Sequence, residues 1–269
     1  MIYRSHAAID YKPGVCINWS HPLSVDLVYA ILSSYYEPYC VDLVTGSIVV
    51  TPKTKVTAHG VLSQGDQYEY PLYTPNFVLS TSSRPPSFTA ITRVLLGPIS
   101  PANSEFCVQK PTDHSYNHFR LANLNTYNVI SATLVNDQIV LRGNTPISEG
   151  EFFTAAASYD KNTGEFKIYK NGVLDAQGSF TGNSLRNLPT YFFPVARPAG
   201  GVSDPFFEYS YFYSRALSAE EIAWLTQEPY CFLENKDFYY TIKVIGSDRD
   251  ARHHQRKSKT SPHIVLRWF

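Results

Sequence analysis

The sequence predicts an all-β protein, a two-sheet antiparallel β-sandwich with one short C-terminal helix and extended terminal arms. Three observations predict it. Aromatic side chains are abundant, with 20 Tyr and 16 Phe in 269 residues, and they suit the half-buried pleated surface of sheets. Short apolar or alternating segments recur between turn formers, which 18 Pro and 14 Gly supply. A single stretch, near residue 220, carries a full set of helix signals.

Residues 1–22 read as an extended arm, because Pro13-Gly14 and His21-Pro22 interrupt any regular element. Leu27–Leu32 is a short apolar run of strand length, and Gly46–Thr51 is a second strand stopped by Pro52. Residues 52–87 hold many Pro, Ser and Thr and read as loops with short strands such as Phe77–Ser80. Ser87–Leu96 is a long strand ended by Gly97-Pro98, and a loop is expected from there to about residue 116. His118–Leu124, Tyr127–Leu134 and Gln138–Arg142 alternate as antiparallel strands do, with Asn136-Asp137 as a tight turn between the last two.

The strongest local signals lie between Glu151 and Asp175. Thr154–Tyr159 is a strand, and the turn Asp160-Lys161-Asn162-Thr163-Gly164 follows it. Glu165–Lys170 alternates, with Phe166 and Ile168 on one face and Lys167 and Tyr169 on the other. Asn171-Gly172 predicts a type I′ hairpin turn, in which both central residues need positive φ. Val173–Ala176 is the returning strand. Phe206–Tyr213 is aromatic on both faces and belongs near the centre of a sheet.

The helix begins at Ser218, whose hydroxyl caps it, and Glu221 three residues on completes a capping box. Leu217 can staple onto Ile222, Ile222 and Leu225 form the docking stripe, and Pro229 closes the element. Two to three turns do not stand alone in water, so this helix must dock on a sheet.

Two blocks resemble a known pattern. Glu149–Asp160 with Thr163–Gly172, and then Arg215-Ala216-Leu217-Ser218-Ala219-Glu220-Glu221-Ile222-Ala223-Trp224-Leu225, are similar in wording, order and spacing to laminin G-like domains. The resemblance covers about residues 23–233 and implies a concanavalin A-like jelly roll. Gly14–Leu23, Val41–Val44 and Glu228–Leu233 look like phage or prophage members of that family. The division this implies is an N-terminal arm (1–22), a sandwich (23–233) and a C-terminal strand with a basic, aromatic-ended tail (234–269). There are departures. Phe152 stands where the family often has Trp. Phe207-Glu208-Tyr209-Ser210-Tyr211-Phe212-Tyr213 lacks the aspartates usual on that strand, which weakens any inherited calcium or acid site.

Formal net charge is zero, so no global field points to nucleic acid or a membrane. The charge is uneven. Arg249, Arg252, Arg256, Lys257, Lys259 and Arg267 face only Asp248 and Asp250 after residue 246. The tail then ends in Ile264-Val265-Leu266-Arg267-Trp268-Phe269. It is either a solubilising extension or an arm that docks on neighbours. Docking is preferred, because exposed terminal apolar groups are costly unless buried somewhere. The expected docking residues are therefore Arg249, Arg252, Arg256, Lys257, Lys259, Arg267, Trp268 and Phe269.

The chain carries few chemical motifs. No E-x-D-x-E run supplies the paired carboxylates of a glycoside hydrolase. Glu149 and Glu151 share a parity but open a strand, where solvated edge carboxylates are the ordinary reading. No nucleophile elbow, P-loop or dinucleotide fingerprint appears. His114 and His118, with Asp113 nearby, and His253-His254 read as surface residues rather than metal ligands. Cys16, Cys40, Cys107 and Cys231 are widely spaced and read as reduced thiols, not a zinc site. Calcium is the one ion left open, on turn residues Asp42, Asp66, Asp160 and Asp204. The sequon Asn18-Trp19-Ser20 follows no recognisable secretory leader and is not read as a glycosylation site. No membrane-length apolar run is present.

The expected function is a non-enzymatic structural protein of a bacteriophage virion: a decoration, collar, fibre or tail component. Its expected partners are other virion proteins or copies of itself, with host-surface polysaccharide as a further ligand. Nucleic acid and membrane are not expected partners. The alternatives are a stand-alone carbohydrate-binding module at a cell surface and, behind it, a polysaccharide hydrolase.

Overall fold

A computed structural model describes residues 15–32, 39–46, 48–50, 54–57, 60–63, 85–95, 104–111, 119–124, 128–134, 139–180, 190–193, 197–198 and 206–235. The chain divides into two compact units, Met1–Lys236 and Asp237–Phe269, and every described residue lies in the first. In chain order the strands are β1 (Val15–Ile17), β2 (Leu27–Leu32), β3 (Tyr39–Asp42), β4 (Ile48–Val50), β5 (Thr54–Thr57), β6 (Gly60–Ser63), β7 (Phe88–Leu95), β8 (Ser104–Pro111) and β9 (Phe119–Leu124). They continue with β10 (Val129–Leu134), β11 (Ile139–Pro146), β12 (Phe152–Tyr159), β13 (Glu165–Lys170), β14 (Val173–Ser179), β15 (Thr190–Phe193), β16 (Arg197–Pro198), β17 (Phe206–Tyr213) and β18 (Leu233–Asn235). The helix α1 spans Ala219–Gln227.

The larger sheet runs β14-β13-β12-β7-β17-β2-β3-β4, with β6 also paired to β17 and β5 to β6. The smaller runs β11-β10-β9-β8-β15, with β16 also on β8. All described pairings are antiparallel. The expected all-β class, two-sheet sandwich and single short helix are all present among the described residues.

Local signals act where expected. Asn171 and Gly172 adopt φ of 52° and 79°, as the type I′ hairpin requires. Gly172 has a second reason to be glycine, since a Cβ there would lie 3.0 Å from the Ala223 Cα of α1. Ser218 Oγ accepts from the Glu221 N–H, and Glu221 reaches back to the Ser218 N–H at 2.9 Å. β17 lies between β7 and β2, at the sheet centre.

Two apolar cores sit on opposite faces of the larger sheet. The inner core lies between the sheets and gathers Phe88, Phe106, Phe119, Phe153, Phe166, Phe207 and Phe212 with Ala90, Ala155 and Ala157. The outer core lies under α1 and the segments around β1 and β18. It gathers Tyr209, Tyr211, Tyr213, Ile91, Ile222, Leu225 and Phe232 with Ile17 and Leu23. Residues 15–24 are thus a packed layer, with β1 paired to β18.

One expectation fails outright. The stretch after Leu96, read as loop to about 116, contains the eight-residue strand β8. Its pairing with β9 shifts register between Glu105 and Cys107. Neighbours Phe106 and Cys107 both enter the inner core, so the alternation that marks a strand in sequence is broken. The expected strand at Phe77–Ser80 and the turn at Asn136-Asp137 lie outside the described residues.

Candidate functional site

Of the carboxylates singled out in the sequence, Asp42, Asp160 and Glu151 have structural work. Asp42 is fully buried and accepts from the Ala30 N–H at 2.9 Å, the Val44 N–H at 3.1 Å and Thr45 Oγ1 at 2.8 Å. Asp160 builds its own turn, accepting from the Asn162 N–H at 2.9 Å and Thr163 Oγ1 at 3.2 Å. Glu149 is exposed on the turn before β12. Glu151 pairs with Lys170 Nζ at 2.7 Å and accepts from the Ser148 N–H at 2.9 Å. Among the described residues no group of three metal-ligating side chains converges, and no helix is long and apolar enough to cross a membrane.

Asp66, Asp113, His114, His118, Asp204, His253, His254 and the tail residues Arg249, Arg252, Arg256, Lys257, Lys259, Arg267, Trp268 and Phe269 lie outside the described residues. Cys107 and Cys231 form no disulfide, and burial pushes the Cys107 thiol up to about 12.

Two shallow recesses have most of their charged groups engaged, although Asp175 Oδ2 in the first has no hydrogen-bond partner. One, of about 330 Å³, is lined by Thr145, Lys170, Asn171, Val173, Leu174 and Asp175. Thr145 occupies an Asp175 oxygen with both its N–H, at 3.0 Å, and its hydroxyl, at 2.6 Å. The other, of about 250 Å³, holds Glu165 and Glu221. Glu165 pairs with Lys167 at 2.8 Å. Glu221 pairs with Arg215 through two bonds of 2.8 Å, and that guanidinium holds the Glu221 carboxyl below its usual range.

The surface above the outer core is different. Ile222 and Leu225 face the sheet, which turns Trp224 outward, 40% exposed. Its indole Nε1 donates to Glu228 Oε2 at 3.3 Å. The His21 ring stands edge-on to it, with centroids 5.2 Å apart. His21 is held by a turn in which Asn18 Oδ1 accepts from the Ser20 N–H at 3.0 Å and Ser20 Oγ at 2.6 Å. Its Nδ1 accepts from the Leu23 N–H at 3.2 Å and caps the 3₁₀ turn Pro22–Ser24, so the ring proton belongs on Nε2. Trp19, on the same turn, is 58% exposed. Large aromatics left in water on a rigid frame are an informative departure from burial.

Sequence reasoning overlooked Trp19, His21 and Glu228. It read Trp224 only as part of a motif, although its place off the Ile222–Leu225 stripe was an available signal. It also missed an ion pair whose acidic end is buried. Glu208 sits at a register break between β17 and β7. It meets Arg93 Nε at 2.8 Å and accepts from the Tyr230 hydroxyl at 2.7 Å.

Fold and site define an antiparallel β-sandwich with an exposed aromatic surface on its helix-bearing side. No family model and no curated protein matches the chain. Solved structures do. A Trypanosoma rangeli sialidase in complex with sialic acid is similar with a TM-score of 0.54 at 12% identity, over 77% of this chain and 33% of that one. The receptor-binding domain of botulinum neurotoxin type G is similar with a TM-score of 0.54 at 13% identity, over 76% of this chain and 51% of that one. The chain therefore spans about a third of the sialidase and half of the receptor-binding domain, and at these identities the likeness is one of fold. It corrects one expectation. The sequence was read as non-enzymatic because catalytic motifs were missing, yet the sandwich is shared with sialidases, so the missing motifs do not mark it as non-enzymatic.

Proposed function

We propose that this chain is a carbohydrate-binding, adhesive β-sandwich of a bacteriophage particle, gripping polysaccharide on the host surface. The observation that carries the reading is the sandwich shared with a sialidase that holds sialic acid and with a toxin's receptor-binding domain. The exposed Trp19 and Trp224 support it, since flat aromatic faces with a polar rim suit sugar rings. The phage setting rests on the laminin G-like blocks Glu149–Gly172 and Arg215–Leu225 and on their phage-like neighbours. In that setting the basic tail, from Arg249 to Phe269, docks on other virion proteins or on copies of the chain.

The test is a glycan array probed with the full chain, with and without calcium. Binding above background supports the reading, and silence under both conditions overturns it. The particle role is tested separately by deleting residues 247–269. Loss of incorporation with an intact sandwich is expected, and normal incorporation would refute the docking tail. The sialidase likeness also favours a second reading, a glycan hydrolase. Release of free sugar from a sialylated or bacterial polysaccharide by the purified protein would establish it.

A further inference from the structure

We infer that the face formed by Trp224, His21 and Glu228 is the sugar-binding subsite, and that it takes uncharged pyranose units rather than acidic sugars. This rests on the carbohydrate-binding reading above and goes further, naming both the place and the class of sugar.

A pyranose presents a flat patch of C–H groups on a face and hydroxyls around its rim. A complementary site offers an exposed aromatic plane with donors and acceptors at its edge. Trp224 supplies the plane, and it is fixed from two sides by the His21 ring and by its own bond to Glu228. The His21 Nε2–H supplies a donor, because Nδ1 is already spent on the Leu23 N–H. Glu228 supplies the acceptor. Its Oε2 takes the indole proton, which leaves Oε1 for a hydroxyl. The two chain segments are held together independently of any ligand, since the Asn18 N–H donates to the Phe232 carbonyl at 2.9 Å. A preformed site loses little freedom on binding.

The sugar class follows from charge. Glu220 stands four residues before Trp224 on the same face of α1, and Glu228, the C-cap residue that ends the helix, lies against Trp224 through its bond to the indole. The helix carries no basic residue in its last turn, and the nearby Arg215 is engaged by Glu221. An anionic sugar laid on Trp224 would bring its carboxylate toward Glu228 and Glu220, with no cation beside Trp224 on that face of α1. An uncharged ring meets no such penalty. The preference is therefore opposite to what the name of the similar sialidase would suggest.

The test uses an array printed with neutral, sialylated and uronic-acid oligosaccharides, followed by calorimetric titration with the best neutral binder. Wild type is expected to favour neutral glycans. W224A should lower that affinity at least tenfold and H21A several-fold, both with unchanged circular dichroism, while the melting temperature falls only slightly in H21A through loss of its cap on Pro22–Ser24. E228Q keeps an acceptor for the indole but removes the charge, so it should raise the signal on sialylated glycans several-fold. Preference of the wild type for acidic glycans would overturn the sugar class. Neutral binding within twofold of wild type in both W224A and H21A would overturn the site but leave the carbohydrate-binding reading standing. Silence of the wild type on every glycan would remove both. If W224A fails to fold, H21A and E228Q still decide the matter.

Discussion

The two cores of the larger sheet solve the same burial problem with different chemistry. The inner core is built on phenylalanine, and Phe88 alone stacks or tilts against Phe119, Tyr159 and Phe212 at centroid distances of 4.9, 5.9 and 5.6 Å. The outer core is built on tyrosine. Tyr211 donates to the Pro229 carbonyl at 2.8 Å, Tyr213 to the Leu23 carbonyl at 2.9 Å, and Tyr209 meets Thr154 Oγ1 at 3.2 Å. Between two regular sheets the backbone groups are mostly consumed by the ladders, so a buried hydroxyl finds few partners there. Against a helix end and a short turn, orphan carbonyls remain, and tyrosine satisfies them while filling space. The lesson is one of bias: Tyr29 and Tyr159 also lie in the inner core, where Tyr29 meets Cys107 Sγ at 3.4 Å, but the carbonyls at the helix end and the short turn give Tyr211 and Tyr213 their partners. Burial raises the phenols of Tyr209, Tyr211 and Tyr213, which keeps them protonated donors.

This contrast can be broken in graded steps. The largest loss is expected in the inner core, where F88A should cost about 3–5 kcal/mol because the packed sheets cannot collapse onto the cavity. Urea denaturation reads it as a lower midpoint with unchanged slope. Next is E208A, which leaves the partly exposed Arg93 guanidinium and the Tyr230 hydroxyl without their acceptor and should cost about 2 kcal/mol, while E208Q should cost less. Removing a single hydroxyl separates the cores most directly. Y211F should cost about 1–2 kcal/mol, since it leaves the Pro229 carbonyl buried and unpaired. A Y211F as stable as wild type would show that the outer tyrosines only fill space.

The smallest effect is one of pH. Arg215 depresses the Glu221 carboxyl in the folded state, so its contribution is complete above the unfolded carboxylate range. That contribution is lost as pH falls through the depressed folded value. Melting temperature followed downward from neutral pH should fall less steeply in E221Q than in wild type. The same variant should begin slightly less stable at neutral pH.

Much of this was legible in the chain. The hairpin at Asn171-Gly172, the capped helix at Ser218 and the aromatic strand Phe206–Tyr213 all appear where the residues indicate. What was not legible follows from register. β8 was missed because its bulge erases alternation. Alternation alone would put Phe207 and Tyr209 on one face of β17. The shift at Glu208 instead sends Phe207 and Phe212 inward, and Tyr209, Tyr211 and Tyr213 outward.

The candidate site was hidden for a related reason. His21 and Trp224 stand at opposite ends of the sandwich sequence and share no motif. The sequence by itself determined the all-β class, the turns and the helix. Each of these depends on interactions within a few residues, such as a positive φ, a reciprocal cap or a two-residue alternation. Only the tertiary structure decided which aromatics were buried, which carboxylates were consumed and which tryptophans were left in water. Those outcomes depend on groups brought together from distant parts of the chain, by pairings whose register no local pattern encodes.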